Sequence, residues 1–146
     1  MERNEFIKSL GLGIALVCTG SCLSGCGGTK SDDPGPGGTP GTKVNIDLAS
    51  QLLSVGAFTT VSGVLFVRLA TGNTSSSFTA TQATCPHQGG TLNWIQASGI
   101  IQCALHASQY TAAGAIVTQP NDGGTTSALK VYSTSISGTI LTATIS

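Results

Sequence analysis

Charge is what this chain has least of: only 8% of its 146 residues are charged, and they sum to no formal net charge. That balance excludes a nucleic-acid partner, because binding a phosphate backbone needs a basic face. Aromatic residues are scarce too, at 5%, and histidine occurs only twice, as His87 and His106. The longest apolar run of the N-terminal stretch, residues 10–17, falls short of the roughly 20 residues a membrane-spanning helix needs. Nor does any window carry a sustained helical stripe. Low charge with abundant Thr and Ser suits β-structure outside the cytoplasm better than a helical, cytoplasmic fold.

What the chain does have begins with a leader. An apolar run followed by small residues has the layout of a secretory signal, and residues 1–25 are expected to be cleaved. "LSGC" at positions 23–26 resembles the lipobox of bacterial lipoproteins, which makes Cys26 the expected lipidated first residue of the mature chain. Cys18 and Cys22 read as small apolar residues of the signal. "RNEFIK" at positions 3–8 is similar to a twin-arginine export signal with Asn4 in place of the second arginine. Residues 26–42, rich in Gly and Pro and lacking any sizeable apolar side chain, read as a flexible tether. Within them "KSDD" resembles an acidic surface-export signal and equally suits a solvated run of linker charge.

From Lys43 onward the pattern has period two. Val44, Ile46 and Leu48 alternate with polar neighbours, and "VLFVRLA" at 64–70 is a β-branched run of strand length. Further strands are expected in "SFTATQA", "GIIQC", "LKVYSTSI" and "TILTATI", with the last two closing as a hairpin around Ser137 and Gly138. The expectation is an all-β domain of short antiparallel strands over residues 43–146.

Two short loops hold the chemistry. Cys85 and His87 are separated by one residue, Cys103 and His106 by two, and fifteen residues lie between the pairs. Each pair offers a thiolate and an imidazole, ligands for iron, zinc or copper. Two thiolates and two imidazoles suit a [2Fe-2S] centre in which histidines replace cysteines on one iron. The same four residues could hold structural zinc, although zinc fingers usually pair like ligands with like. In an oxidising compartment Cys85 and Cys103 could instead form a disulfide.

"CPHQGG" and "CALHASQY", at this spacing, resemble the two cluster-binding loops of the Rieske iron-sulfur family, with Ala104 and Ala107 where the family usually has Pro and Gly. The resemblance implies a small antiparallel β-sandwich with an inserted cluster-binding subdomain. It also implies one [2Fe-2S] cluster per chain, with Cys85 and Cys103 on the inner iron and His87 and His106 on the outer one. "GAIVTQPNDGG" is similar to the family's Pro loop, which makes Pro120 the expected cluster cover, with Gln119 where Gly is usual. Ser108 and Tyr110 stand where high-potential members donate hydroxyls, to a bridging sulfide and to a cysteine sulfur respectively. Those donors would raise the potential. Gly90 and Leu105 replace the extra cysteines whose disulfide such members carry.

With the four ligands committed, no histidine is left for a mononuclear iron site. Asp47 and Asp122 are the carboxylates left for acid-base work, and both read as strand-edge or turn residues. The chain is therefore read as an electron carrier rather than an enzyme, with the cofactor supplying the redox chemistry. Its expected partners are redox proteins of the respiratory chain or envelope, docking on apolar contacts around Gln88, Leu105 and Pro120. Its expected place is the bacterial envelope, held to the membrane through Cys26 and facing the periplasm or cell surface. The other functions weighed are a zinc-binding structural lipoprotein and a ferredoxin-like component of an oxygenase or reductase.

Overall fold

The structure is a computed structural model that describes residues 38–146. The leader, Cys26 and all but the end of the tether lie outside the described residues. Among those described, no helix is long and apolar enough to cross a membrane.

Among the described residues, ten strands make three antiparallel sheets. The first sheet joins β1 (Lys43–Asp47), β10 (Ile140–Thr144) and β9 (Ser133–Ser137) in the order β1-β10-β9. The second runs β2 (Phe58–Val61), β3 (Val64–Arg68) and β4 (Phe78–Gln82), with one turn of 3-10 helix, Ser75–Ser77, before β4. The third runs β5 (Leu92–Ile95), β6 (Ile100–Cys103), β7 (Gln109–Thr111) and β8 (Ile116–Thr118). In chain order this third sheet is inserted between β4 and β9, as an inserted subdomain should be.

Strand β3 shows why the layers stack as they do. Successive side chains of a strand point to opposite faces, so a strand covered on both faces must be apolar at every position. Val64, Leu65, Phe66 and Val67 are all fully buried. Val64 and Phe66 join Val44, Ile46, Phe78, Ala80, Leu141 and Ala143 in one apolar cluster between the first two sheets. Leu65 and Val67 join Leu92, Trp94, Ile101 and Tyr110 in a second cluster on the opposite face, which also contains Cys85 and Cys103. The middle sheet thus serves two cores. Each of its large side chains contributes about 1.5–3 kcal/mol by leaving water.

The closing hairpin is present one residue along from the expected turn. Ser137 pairs with Ile140, so Gly138 and Thr139 form the two-residue loop, and Gly138 supplies the positive φ of 60° that such loops require. Strands β2, β5, β7 and β8 carry no strong period-two signal of their own. Strand β8 is exposed along its whole length, and β2 is never fully buried, so neither shows apolar alternation.

Candidate metal centre

Strand β4 ends at Gln82, and the chain enters its first loop through a single bridge between Thr84 and Thr91. That bridge pinches residues 85–90 into a compact turn. The Cys85 amide donates to the Gly90 carbonyl at 2.7 Å, and the Gly89 amide donates back to the Cys85 carbonyl at 3.0 Å. The second loop follows β6 and closes likewise, with the Cys103 amide on the Ser108 carbonyl at 2.9 Å and the Ala107 amide on the Cys103 carbonyl at 3.1 Å. Ala107 sits at φ 55°, where an L side chain costs roughly 1–2 kcal/mol. That conformation accounts for the glycine usual at this position in the resembling loops. The loops are tied to each other by the Ala104 amide on the Thr91 carbonyl at 2.9 Å.

Both thiols are buried and free, so the disulfide alternative does not hold in this structure. Ser108 and Tyr110 each place a hydroxyl 3.4 Å from the Cys85 sulfur. Burial pushes the Cys85 thiol up, but bonds from Ser108, Tyr110, the His87 backbone and Cys103 outweigh it, and the thiol lies below its ordinary value. Burial and the neighbouring Cys85 push the Tyr110 phenol up. Ser108 thus faces a cysteine sulfur, and both hydroxyls converge on the same one. Tyr110 is also a packed strand aromatic, fully buried in the second core, so its two roles coincide.

Over the loops lies the segment after β8. The Asn121 amide donates to the His106 carbonyl at 2.9 Å and so ties it to the second loop. Pro120 is buried, which suits a cover and removes it from the expected docking surface; Gln88 and Leu105 are exposed. Gln119 braces this segment. Its Oε1 accepts from the Thr126 amide at 2.9 Å, and Thr126 Oγ1 lies 2.6 Å from the Tyr110 hydroxyl.

The imidazoles stand edge to face, with ring centroids 5.2 Å apart. His87 Nδ1 lies 2.8 Å from the Thr125 carbonyl and its Nε2 2.8 Å from Asp122 Oδ2. With acceptors at both nitrogens, the ring has the contacts of an imidazolium. Asp122 raises the affinity of His87 for its proton, and His87 in turn holds Asp122 below the usual carboxylate range. His106 directs its Nε2 to the same oxygen at 3.6 Å, while its buried Nδ1 has no partner among the described residues. Asp122 is the site residue that sequence reasoning missed. Its neighbours "PNDGG" signal only a turn, and its Oδ1 does make one by accepting from the Gly124 amide at 2.9 Å.

Two buried thiols with donors aimed at one sulfur, and a buried imidazole nitrogen left unpartnered, fit a metal group bound between the loops. Gly90 leaves the space, since a Cβ there would lie 2.6 Å from the Cys103 sulfur. Separately, His87, His106 and Asp122 offer ligand atoms within 4.8 Å of one another. The 2.8 Å contact marks Asp122 as a hydrogen-bond acceptor from an imidazole in the structure as it stands.

Comparison with known proteins places this geometry. Residues 45–133 match the family profile described as Rieske [2Fe-2S] domain. No curated protein matches. Among solved structures, the chain is similar to the cyanobacterial plasma membrane Rieske protein PetC3 from Synechocystis PCC 6803. That match has 25% identity and a TM-score of 0.52 over 70% of this chain and 98% of that one. It is also similar in fold to the ferredoxin of carbazole 1,9a-dioxygenase from Nocardioides aromaticivorans IC177, with 20% identity and a TM-score of 0.52 over 70% of this chain and 97% of that one.

Proposed function

The chain belongs to the Rieske [2Fe-2S] family, as an electron-transfer protein with one cluster, and from that premise we propose that Cys85, His87, Cys103 and His106 hold the cluster in an envelope lipoprotein. When bound, the cluster takes up and releases one electron at a time. The protein's own residues set the conditions for that exchange. Cys85 and Cys103, buried in the second core, hold their sulfurs away from water. Ser108 and Tyr110 donate to sulfur, which favours the more negative, reduced state and raises the potential. Pro120 closes the site from above.

His87 and His106 are partly exposed, with side-chain accessibilities of 10% and 22%, and offer the electron its way out. Gln88 and Leu105 flank them as the docking surface for a redox partner of the respiratory chain or envelope. Cys26 carries the lipid, and residues 26–42 give the domain its reach. The plasma membrane setting of the similar cyanobacterial protein supports that placement.

The observation that carries the assignment is a pair of loops tied to each other, carrying two buried free thiols and two neighbouring imidazoles, with His106 Nδ1 unpartnered among the described residues. Purified protein should contain two irons and two labile sulfides per chain and show a reduced-state electron paramagnetic resonance signal of low average g value. Stoichiometric zinc in iron-sufficient protein would overturn it. For the anchor, Cys26→Ala should move the domain to the soluble fraction, since stable attachment takes more than one acyl chain. An uncleaved variant that stays on the membrane would show that the leader is itself the anchor.

A further inference from the structure

We propose that Asp122 is a positioning residue for electron transfer, a carboxylate on the Pro loop that fixes the orientation of the histidine pair and lowers the potential of the cluster. The inference rests on the assignment of His87 and His106 as iron ligands.

The contacts on both sides of the carboxylate point this way. Asp122 Oδ2 accepts from His87 Nε2 at 2.8 Å and from the Gln88 amide at 3.4 Å, and it lies 3.6 Å from His106 Nε2. Its other oxygen accepts the Gly124 amide, which fixes the carboxylate within its own loop. Both rings turn Nε2 toward this one group, and the unpartnered buried nitrogen of His106 is Nδ1. Nδ1 is therefore the nitrogen His106 has to offer a metal, whereas His87 Nδ1 lies 2.8 Å from the Thr125 carbonyl.

A carboxylate that accepts from the outer nitrogen of a metal-bound imidazole fixes the ring's tautomer and raises its basicity. More electron density on the ligand stabilises the oxidised metal. Five charged side chains occur among the described residues, Lys43, Asp47, Arg68, Asp122 and Lys130, and Asp122 is the one that touches the imidazoles. Gly124 supplies an independent handle on the same contact. A Cβ at this position would lie 2.5 Å from His87 Cε1 and 3.0 Å from Asp122 Oδ1, so the ring and the carboxylate approach this closely only because the residue is glycine.

The test is a redox titration followed by electron paramagnetic resonance on the cluster-loaded full chain. It compares wild type with Asp122→Asn, Asp122→Glu and Gly124→Ala, each with its iron and sulfide content. Asp122→Asn should shift the reduction equilibrium about fivefold toward the reduced form, ~40 mV upward at 59 mV per tenfold for one electron. Asp122→Glu, which keeps the charge, should return most of that shift. Gly124→Ala should move the potential upward as well and alter the nitrogen couplings in the pulsed spectrum. Asn and Ala variants that load a full cluster at the wild-type potential would overturn the proposal. If Asp122→Asn does not load, Gly124→Ala decides alone by the same two outcomes. The ligand assignment fails separately, if His87→Ala or His106→Ala retains an unaltered cluster signal.

Discussion

The thiol half and the imidazole half of this site are built on opposite plans. Cys85 and Cys103 are 1% and 3% exposed and belong to a hydrophobic core that would be buried with or without a metal. Their polar neighbours, Ser108 and Tyr110, are fully buried too and lie 3.4 Å from the Cys85 sulfur. His87 and His106 are instead partly exposed and face a carboxylate from a loop that follows the inserted sheet. One half is fixed by packing and the other by a hydrogen-bonded latch. A buried donor is hard to replace by water, whereas a latch at the surface competes with water at every moment. The contrast teaches where each kind of control resides: burial sets how strongly sulfur donors act, and the exposed edge sets what a partner meets.

Removing a member of the thiol half should break the site most severely. Cys85→Ser or Cys103→Ser should abolish the visible absorption and iron content, and should lower the melting temperature of the protein purified from iron-sufficient cells, because metal binding is coupled to the order of both loops. The first core contains neither cysteine, so far-ultraviolet circular dichroism should still report a β-sandwich. A variant that keeps its iron would show that these thiols are not ligands. A variant that loses all β-structure would show that the two cores are not separable.

The hydroxyls come next in size. Hydrogen bonds to charged groups contribute about 1.5–3 kcal/mol, and if half of the lower figure distinguishes the redox states the potential moves by roughly 30 mV per bond. Tyr110→Phe and Ser108→Ala should each lower the potential while retaining the cluster. Tyr110→Phe also strands Thr126, whose hydroxyl lies 2.6 Å from the phenol, so its effect should be the larger of the two. Equal potentials in all three proteins would mean that the hydroxyls serve packing alone, and the difference in control between the halves would vanish.

How much of this was legible differs in the same way. The four loop residues stand out by their spacing along the chain, whereas the two hydroxyls were legible only through the family resemblance, since they meet Cys85 across 23 and 25 residues. The layering of β3 was partly legible, since an unbroken apolar run has to be covered on both faces. Asp122 could not be read. It reaches His87 across 35 residues, and its sequence neighbours describe a turn without saying what the turn covers. Pro120 was expected both to cover the cluster and to line the docking surface, and its burial removes it from the second of these places. Strands β2 and β8 escaped notice because their exposure removes the alternation that would betray them.

The smallest effect should be the latch itself, seen in protein stripped of metal. Asp122 holds the His87 affinity for protons above its ordinary value, and His87 holds Asp122 below its own; these are one contact seen from its two partners and count once. The signs then set a window. A carboxylate whose folded value is lowered contributes stability that is present above its unfolded value of about 3.8 and is lost as pH falls through the lowered one. A histidine whose folded value is raised contributes stability that is present below its unfolded value of about 6.5 and is lost as pH rises through the raised one. The contact should therefore stabilise metal-free protein most between those two unfolded values and fade on both sides. Asp122 is exposed and His87 only partly so, and the difference should be small, and smaller still at high salt. Melting temperatures of the metal-free wild type and Asp122→Asn should separate near pH 5 to 6 and converge toward pH 3 and pH 9. Curves that run parallel across that range would place the folded-state latch elsewhere. Curves that diverge most at pH 9 would mean that the carboxylate acts on something other than a protonated imidazole.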